Sequence, residues 1–167
     1  NLKRYKNVLN SLVKGCKFLQ DNKCKFISIP CNTAHHWYKD LKKKIKIPIL
    51  NMPEIVYSNI KNNCKKNTKI GLLATDATIK VGIYSQYLNK KFNLISPPKN
   101  LQIKSVNKSI KLIKMGKTKE AERAIKLAVN YLIKKKCKKI ILGCTELPIA
   151  IFAFKSFKKV KTSKIFL

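Results

Sequence analysis

Apolar residues recur at helical spacing near the start of the chain. In "NVLNSLVKGCKFLQDN" they fall at Val8, Leu12, Val13, Cys16 and Leu19, which predicts an amphipathic helix. The rhythm then shortens: "KFISIP" is a brief β-rich run closed by Pro30 and reads as a strand. "TAHHWYKDLKKK" returns to helical spacing with Trp37 and Leu41 inward, and "IKIPIL" is a second short strand. "PEIVYSNIKNNC" opens with Pro53 and Glu54, a helix start. A third strand, "KIGLLAT", precedes one helix over "DATIKVGIYSQYLNK"; "FNLIS" is a fourth strand, and Pro97 and Pro98 break the chain after it. Helical patterns follow over 101–115 and 118–136, divided by Gly116. In the second of these Thr118 is the expected cap, Glu120 and Glu122 occupy the first turn, and lysines fill the last. A fifth strand, "KKIILG", runs into Cys144 and then "TELPIAIF".

Strands that alternate with helices and are nearly all apolar predict a parallel α/β architecture. Sites in such sheets lie at the carboxyl ends of the strands, where Cys31 and Cys144 both fall. The placement repeats. "KCKFISIPCNT" and "KCKKIILGCTE" each hold a Cys, a strand, and a second Cys seven residues after the first. This echo suggests two related half-structures, each offering one thiol. Cys24 and Cys137 stand where a helix turns into the strand, a position suited to packing. For Cys31 and Cys144 two readings stand level on the residues alone. One is a pair of buried cysteines near strand ends. The other is two thiols facing one ligand, since inverting a carbon centre through a carbanion needs a base on one face and an acid on the other. The amides and hydroxyls of Asn32, Thr33 and Thr145 would then hold a carboxylate and its developing charge.

Composition narrows the partners. The 167 residues carry a formal charge of +31, which invites a nucleic-acid reading. Yet only Arg4 and Arg123 are arginine, the residue whose fork suits phosphates and bases. Lysine is spread over nearly every segment, and Lys, Asn and Ile, the residues of A/T-rich codons, are all over-used. A solvated surface, without specific nucleic-acid binding, is therefore expected. No apolar run approaches the roughly 18 residues that cross a membrane, and the start has no signal-peptide pattern, so a cytoplasmic protein with free thiols and no membrane partner is expected. The six cysteines form no C-x-x-C pair and have no His-x-x-x-His partner, so no metal site is expected.

"PCNTAH", "GLLATDATI", "IKMGK" and "LGCTELP", in that order, resemble the aspartate/glutamate racemase family, and within it the aspartate-racemase-like branch. The resemblance runs from about Lys6 to Pro148. It implies a cofactor-independent amino-acid racemase with two similar parallel-sheet α/β domains and the active site between them. It implies that Cys31 and Cys144 exchange the roles of general base and general acid. Asn32 and Thr33 would bind substrate carboxylate beside the first thiol, and Thr145 beside the second. Thr75 matches a residue near the substrate. Lys114 matches a lysine used on the substrate side chain, with a plain surface lysine as the other reading. His35 would support the loop and His36 would lie at the surface. Glu146 would orient the second thiol or cap a helix. The implied substrate is a small acidic amino acid, aspartate ahead of glutamate, and the implied assembly is a homodimer.

Some features depart from the family pattern. The leading strand, its Gly-rich loop and an arginine-bearing substrate segment have no counterpart, and Arg4 sits in no matching motif. Ala77 stands where glycine is usual, and "FAFKSFKKVKTSKIFL" does not match the usual helical ending. The expected organisation is an incomplete first α/β domain over 1–66 carrying Cys31, a second over 67–148 carrying Cys144, and a segment over 149–167 returning toward the first. The competing readings are an inactive remnant that keeps the fold without turnover and a basic nucleic-acid binder.

Overall fold

The computed structural model describes residues Leu2 to Phe152, so the expected return of the chain beyond 152 lies outside the described residues. The amphipathic pattern at the start forms helix α1 (Leu2–Asp21). Thr33–Trp37 form a 3-10 turn that continues into α2 (Tyr38–Lys44). The apolar stripes of α1 and α2 close on Ile27 and Ile49, making a small core of Cys16, Ile27, Leu41, Ile45 and Ile49. The two strands expected at "KFISIP" and "IKIPIL" do not extend into a ladder. They meet at one parallel bridge, Ile27 to Ile49. Ile27 N–H donates to Pro48 O and Leu50 N–H to Ile27 O, each at 2.8 Å. Pro30 and Pro48 have no N–H to offer, so the pairing stops there.

The other three expected strands form as read. Helix α3 (Met52–Asn63) leads into β1 (Lys69–Ala74), and β2 (Asn93–Ile95) and β3 (Lys139–Gly143) flank it in the order β2-β1-β3, all parallel. The pleat sends successive side chains to opposite faces. Ile70, Leu72 and Ala74 enter one core with Ile141; Leu73 enters the other with Ile140 and Leu142. Ile60 of α3 packs on the first face, together with Ile83, Tyr84, Leu88 and Phe92.

Between β1 and β2 the single helix expected over "DATIKVGIYSQYLNK" is divided into α4 (Asp76–Val81) and α5 (Ser85–Leu88). Gly82 ends α4 with φ +73°, a left-handed conformation that glycine adopts without a side-chain clash. After β2 the chain crosses to the other face. It begins with a short α6 (Lys99–Leu101), widens into a π-helical turn over Gln102–Asn107, and continues as α7 (Lys108–Lys114). Helix α8 (Thr118–Lys134) follows and packs Ala121, Ile125, Ala128 and Leu132 on the sheet. Thr118 is its first residue rather than its cap. Lys117 holds the cap position, because the Thr118 N–H already bonds Gly116 O at 3.0 Å and the chain enters the helix one residue early. Helix α9 (Glu146–Phe152) closes the same face with Leu147, Ala150 and Ile151.

Candidate active site

The carboxyl end of β1 is built around three hydroxyls. Thr75 caps α4, its Oγ1 accepting from the Thr78 N–H at 3.2 Å. Thr78 lies one helical turn on and is fully buried, with its Oγ1 3.0 Å from that of Thr75. Thr33, from the 3-10 turn of the first half, brings its hydroxyl within 2.7 Å of Thr78 and 3.4 Å of Thr75. A buried hydroxyl without partners is costly, so this group fixes the Thr33 turn against α4. Next to it, the buried Tyr84 hydroxyl donates to Oδ1 of buried Asn32. Burial raises the Tyr84 phenol and keeps it a donor. With its carbonyl oxygen taken, the Asn32 side chain offers its NH2 group to a ligand.

His35 sets the backbone of Cys31. The Met52 N–H donates to His35 Nε2 at 3.2 Å, so the ring proton lies on Nδ1, which donates to the Cys31 carbonyl at 2.9 Å. The Cys31 N–H is bonded to Ile29 O at 2.8 Å. Both backbone groups are therefore held while the thiol is exposed. This is the loop-supporting position expected for His35, and His36 is exposed, as expected.

Cys144 differs in kind. It follows β3 directly and is 9% exposed. Gly143 before it has no room for a side chain, since a Cβ there would stand 2.9 Å from that of Ala74. The Cys144 thiol donates to Glu146 Oε2 at 2.9 Å, and the exposed Thr145 hydroxyl donates to the same oxygen at 3.1 Å. Lys114 Nζ lies 3.5 Å from Glu146 Oε1, its side chain 65% exposed. Burial first, then the hydrogen bond to Glu146 and its negative charge, push the Cys144 thiol from 9.0 up to about 12, against a smaller lowering by Lys114. Burial opposes the charge on Glu146, but the bonds from Cys144 and Thr145 and the nearby Lys114 outweigh it and lower its pKa. Glu146 is thus a carboxylate holding a protonated thiol.

The structure gathers the sequence-predicted residues into two groups. Asn32, Thr33 and Thr75 join with Thr78 and Tyr84; Cys144, Thr145 and Lys114 join through Glu146. The groups stand at neighbouring strand ends, because Ala74, before Thr75, pairs in register with Gly143, before Cys144. Thr78 and Tyr84 were not anticipated. The one available signal was the Thr at the third position after the cap in "TDAT". Among the described residues, no group of three or more His, Cys, Asp or Glu side chains is placed to hold a metal ion, and no helix is long and apolar enough to cross a membrane.

Comparison with known proteins finds amino-acid racemases among the relatives of this chain. The chain is 31% identical over 145 residues to a glutamate racemase of Aquifex pyrophilus, covering 84% of this chain and 53% of that protein. It is 27% identical over 137 residues to a broad specificity amino-acid racemase of Bacillus subtilis, covering 82% and 59%. Superposed on the structure of an aspartate racemase from Picrophilus torridus, it gives a TM-score of 0.75 at 31% identity, covering 94% of this chain and 62% of the other. The chain thus spans between about half and two thirds of the length of these relatives. A family model described as Asp/Glu/Hydantoin racemase matches residues 3–157. A chain with a three-stranded parallel sheet covered by helices on both faces thus belongs to the Asp/Glu/Hydantoin racemase family.

Proposed function

We propose that the chain acts in a racemase that inverts the α-carbon of an acidic amino acid, aspartate ahead of glutamate, through Cys31 and Cys144 and without a cofactor. The supporting observation is the contrast between Cys31 and Cys144: an exposed thiol on a fixed backbone and a buried thiol held protonated by Glu146. In the direction that starts from this state, Cys31 as thiolate takes the α-proton. The electron pair left on the α-carbon delocalises into the carboxylate, and Cys144 delivers its proton to the opposite face. The resulting Cys144 thiolate and Cys31 thiol are the starting state for the reverse direction, so the roles exchange. The Asn32 NH2 and the hydroxyls of Thr33, Thr75 and Thr145 stabilise the carboxylate as its charge grows. Lys114 meets the side-chain carboxylate. The function is that of a cytoplasmic homodimer with two α/β domains and the site between them.

The test is racemisation in deuterated water, with L- and D-aspartate supplied separately. Each inversion should place deuterium on the α-carbon of the product. Cys31→Ala and Cys144→Ala should each lower inversion by about 10²–10⁴-fold, and any residual α-proton exchange should favour opposite enantiomers in the two variants. Full activity in the double variant would end the two-thiol reading. A second reading, the racemase fold without turnover, draws on the buried Cys144 thiol that Glu146 holds protonated. Absence of deuterium incorporation by the unaltered chain selects it.

A further inference from the structure

Strand β1 meets a neighbouring strand on each side of its carboxyl end. Its own exit leads to α4 on one face of the sheet, while the exits of both β2 and β3 lead to helices on the other face. Strand ends whose connections part to opposite faces leave an opening between them, which is where α/β sheets bind ligands. Thr75 and Cys144 follow the paired ends of β1 and β3. The opening between β1 and β2 is a separate cavity of about 290 Å³, lined among others by Asp76, Ile79, Lys80, Lys99, Gln102 and Ile103.

Gln102 is the unusual member. It is 5% exposed and begins the π-helical turn. Its Nε2 donates to Ala74 O at 2.8 Å and to Asn107 Oδ1 at 2.9 Å. Both amide protons are therefore placed, and the oxygen can only accept. No described residue donates to it. Asn107 in turn donates to Asp76 Oδ2 at 2.8 Å, so the acceptor side of the cavity also carries a carboxylate. Lys80 and Lys99, both exposed, supply cations on the lining, and Ile79 and Ile103 supply apolar wall.

We infer that this β1–β2 crevice is a second binding site, for a small zwitterionic α-amino acid with an aliphatic side chain. The ammonium group meets the charge of Asp76, which Asn107 ties to the buried Gln102 amide. The carboxylate faces Lys80 and Lys99, and the short aliphatic chain lies against Ile79 and Ile103. A cavity of this size, at the small end of ligand sites, suits such a molecule. The site is tied to the end of β1: the Gln102 amide that bounds it also holds the carbonyl of Ala74, the residue before Thr75. Occupancy therefore bears on the position of Thr75.

The experiment is a titration of the 167-residue chain with glycine, L-alanine, L-valine and L-leucine in turn, followed by ¹H–¹⁵N NMR. Saturable shifts are expected at the Gln102 side-chain amide and the backbone amides of Ser96 and Ile103, strongest with L-valine or L-leucine. Ile103, 53% exposed, can be enlarged without entering the core, so Ile103→Trp should fill the crevice and abolish these shifts. Lys99→Glu, an exposed change that keeps the fold whatever the fate of the tryptophan variant, should weaken binding about tenfold or more, as loss of a charge-assisted contact does. No shift with any of the four amino acids overturns the inference. So do shifts confined to Thr33, Thr75 and Thr145, or shifts at Gln102 that persist unchanged in Lys99→Glu.

Discussion

Replacing Glu146 with Gln removes one negative charge beside Cys144 and keeps the shape of the side chain. The reasoning above makes its effect calculable. Cys144 is held at about 12 instead of 9.0, by burial first and by the Glu146 carboxylate second. At pH 8, well below both values, that difference lowers the thiolate fraction about 10³-fold. A more basic thiolate is also the better nucleophile; with a Brønsted slope of about 0.4–0.5, roughly 15–30-fold of the loss returns. The net expectation is that Cys144 alkylates about 30–60-fold more slowly than an ordinary thiol at pH 8, before any steric hindrance. In Glu146→Gln the charged acceptor and its repulsion of the thiolate are gone, while burial and Lys114 remain. The thiol should fall toward the value that burial alone sets, and alkylation should accelerate several-fold. Iodoacetamide labelling followed by peptide mass spectrometry reads Cys144 separately from Cys31, with N-acetylcysteine as the free-thiol reference. Cys144 reacting as fast as that reference in the unaltered chain, or more slowly in Glu146→Gln, would refute the argument.

Three further outcomes follow from the same geometry. Thr78→Val keeps the volume but deletes the hydroxyl between Thr33 and Thr75, and should destabilise the fold by about 1–3 kcal/mol in urea unfolding; an unchanged midpoint would show that the hydroxyl group contributes nothing. Gly82→Ala places a Cβ at φ +73° and against the Ser85 hydroxyl, and should cost about 1–2 kcal/mol, seen as a lower thermal midpoint, whereas an unshifted midpoint would mean that the α4 ending relaxes freely. Alkaline pH should unfold the protein, because the folded state raises Cys144 to about 12 and burial also raises Cys16 and Cys137, so the unfolded chain ionises first; this stability is fully present below pH 9 and lost as pH rises toward 12, and a denaturation midpoint flat over that window would contradict it.

Strands β1 and β3 were legible because each is a nearly continuous apolar run, and such a run can be satisfied only between two covered faces. The runs around Ile27 and Ile49 look the same locally, yet their prolines limit them to one bridge; a missing N–H is felt only when a partner strand approaches. Gly82 was visible in the middle of a helical pattern, but periodicity alone does not show that its φ turns positive. In the site, Cys144 and Thr75 sit at loop positions that strand ends dictate, whereas Cys31 lies four residues beyond a single bridge. Thr78 and Tyr84 were not legible, because their partners Thr33 and Asn32 lie 45 and 52 residues away and no local rule pairs them. Glu146 was read as an alternative between orienting and capping. Its role became plain only once the packing of α7 beside α9 brought Lys114 to it.

The single bridge between Ile27 and Leu50's neighbour Ile49 has a consequence in time rather than in space. The part of the molecule holding Cys31 rests on one small core, while the part holding Cys144 rests on a three-stranded sheet with a core on each face. Proteins open in pieces, and a piece with few buried contacts opens more often than the whole unfolds. The amides of Ile27 and Leu50 should therefore exchange with solvent sooner than those of Leu72 and Ile141. During each such opening the hydroxyl of Thr33 leaves Thr78, while Cys144 stays in place beside the sheet. Under the two-thiol proposal, the fraction of time that both thiols stand ready is set by the lifetime of the weaker half, and anything that clamps Thr33 to α4 lengthens it.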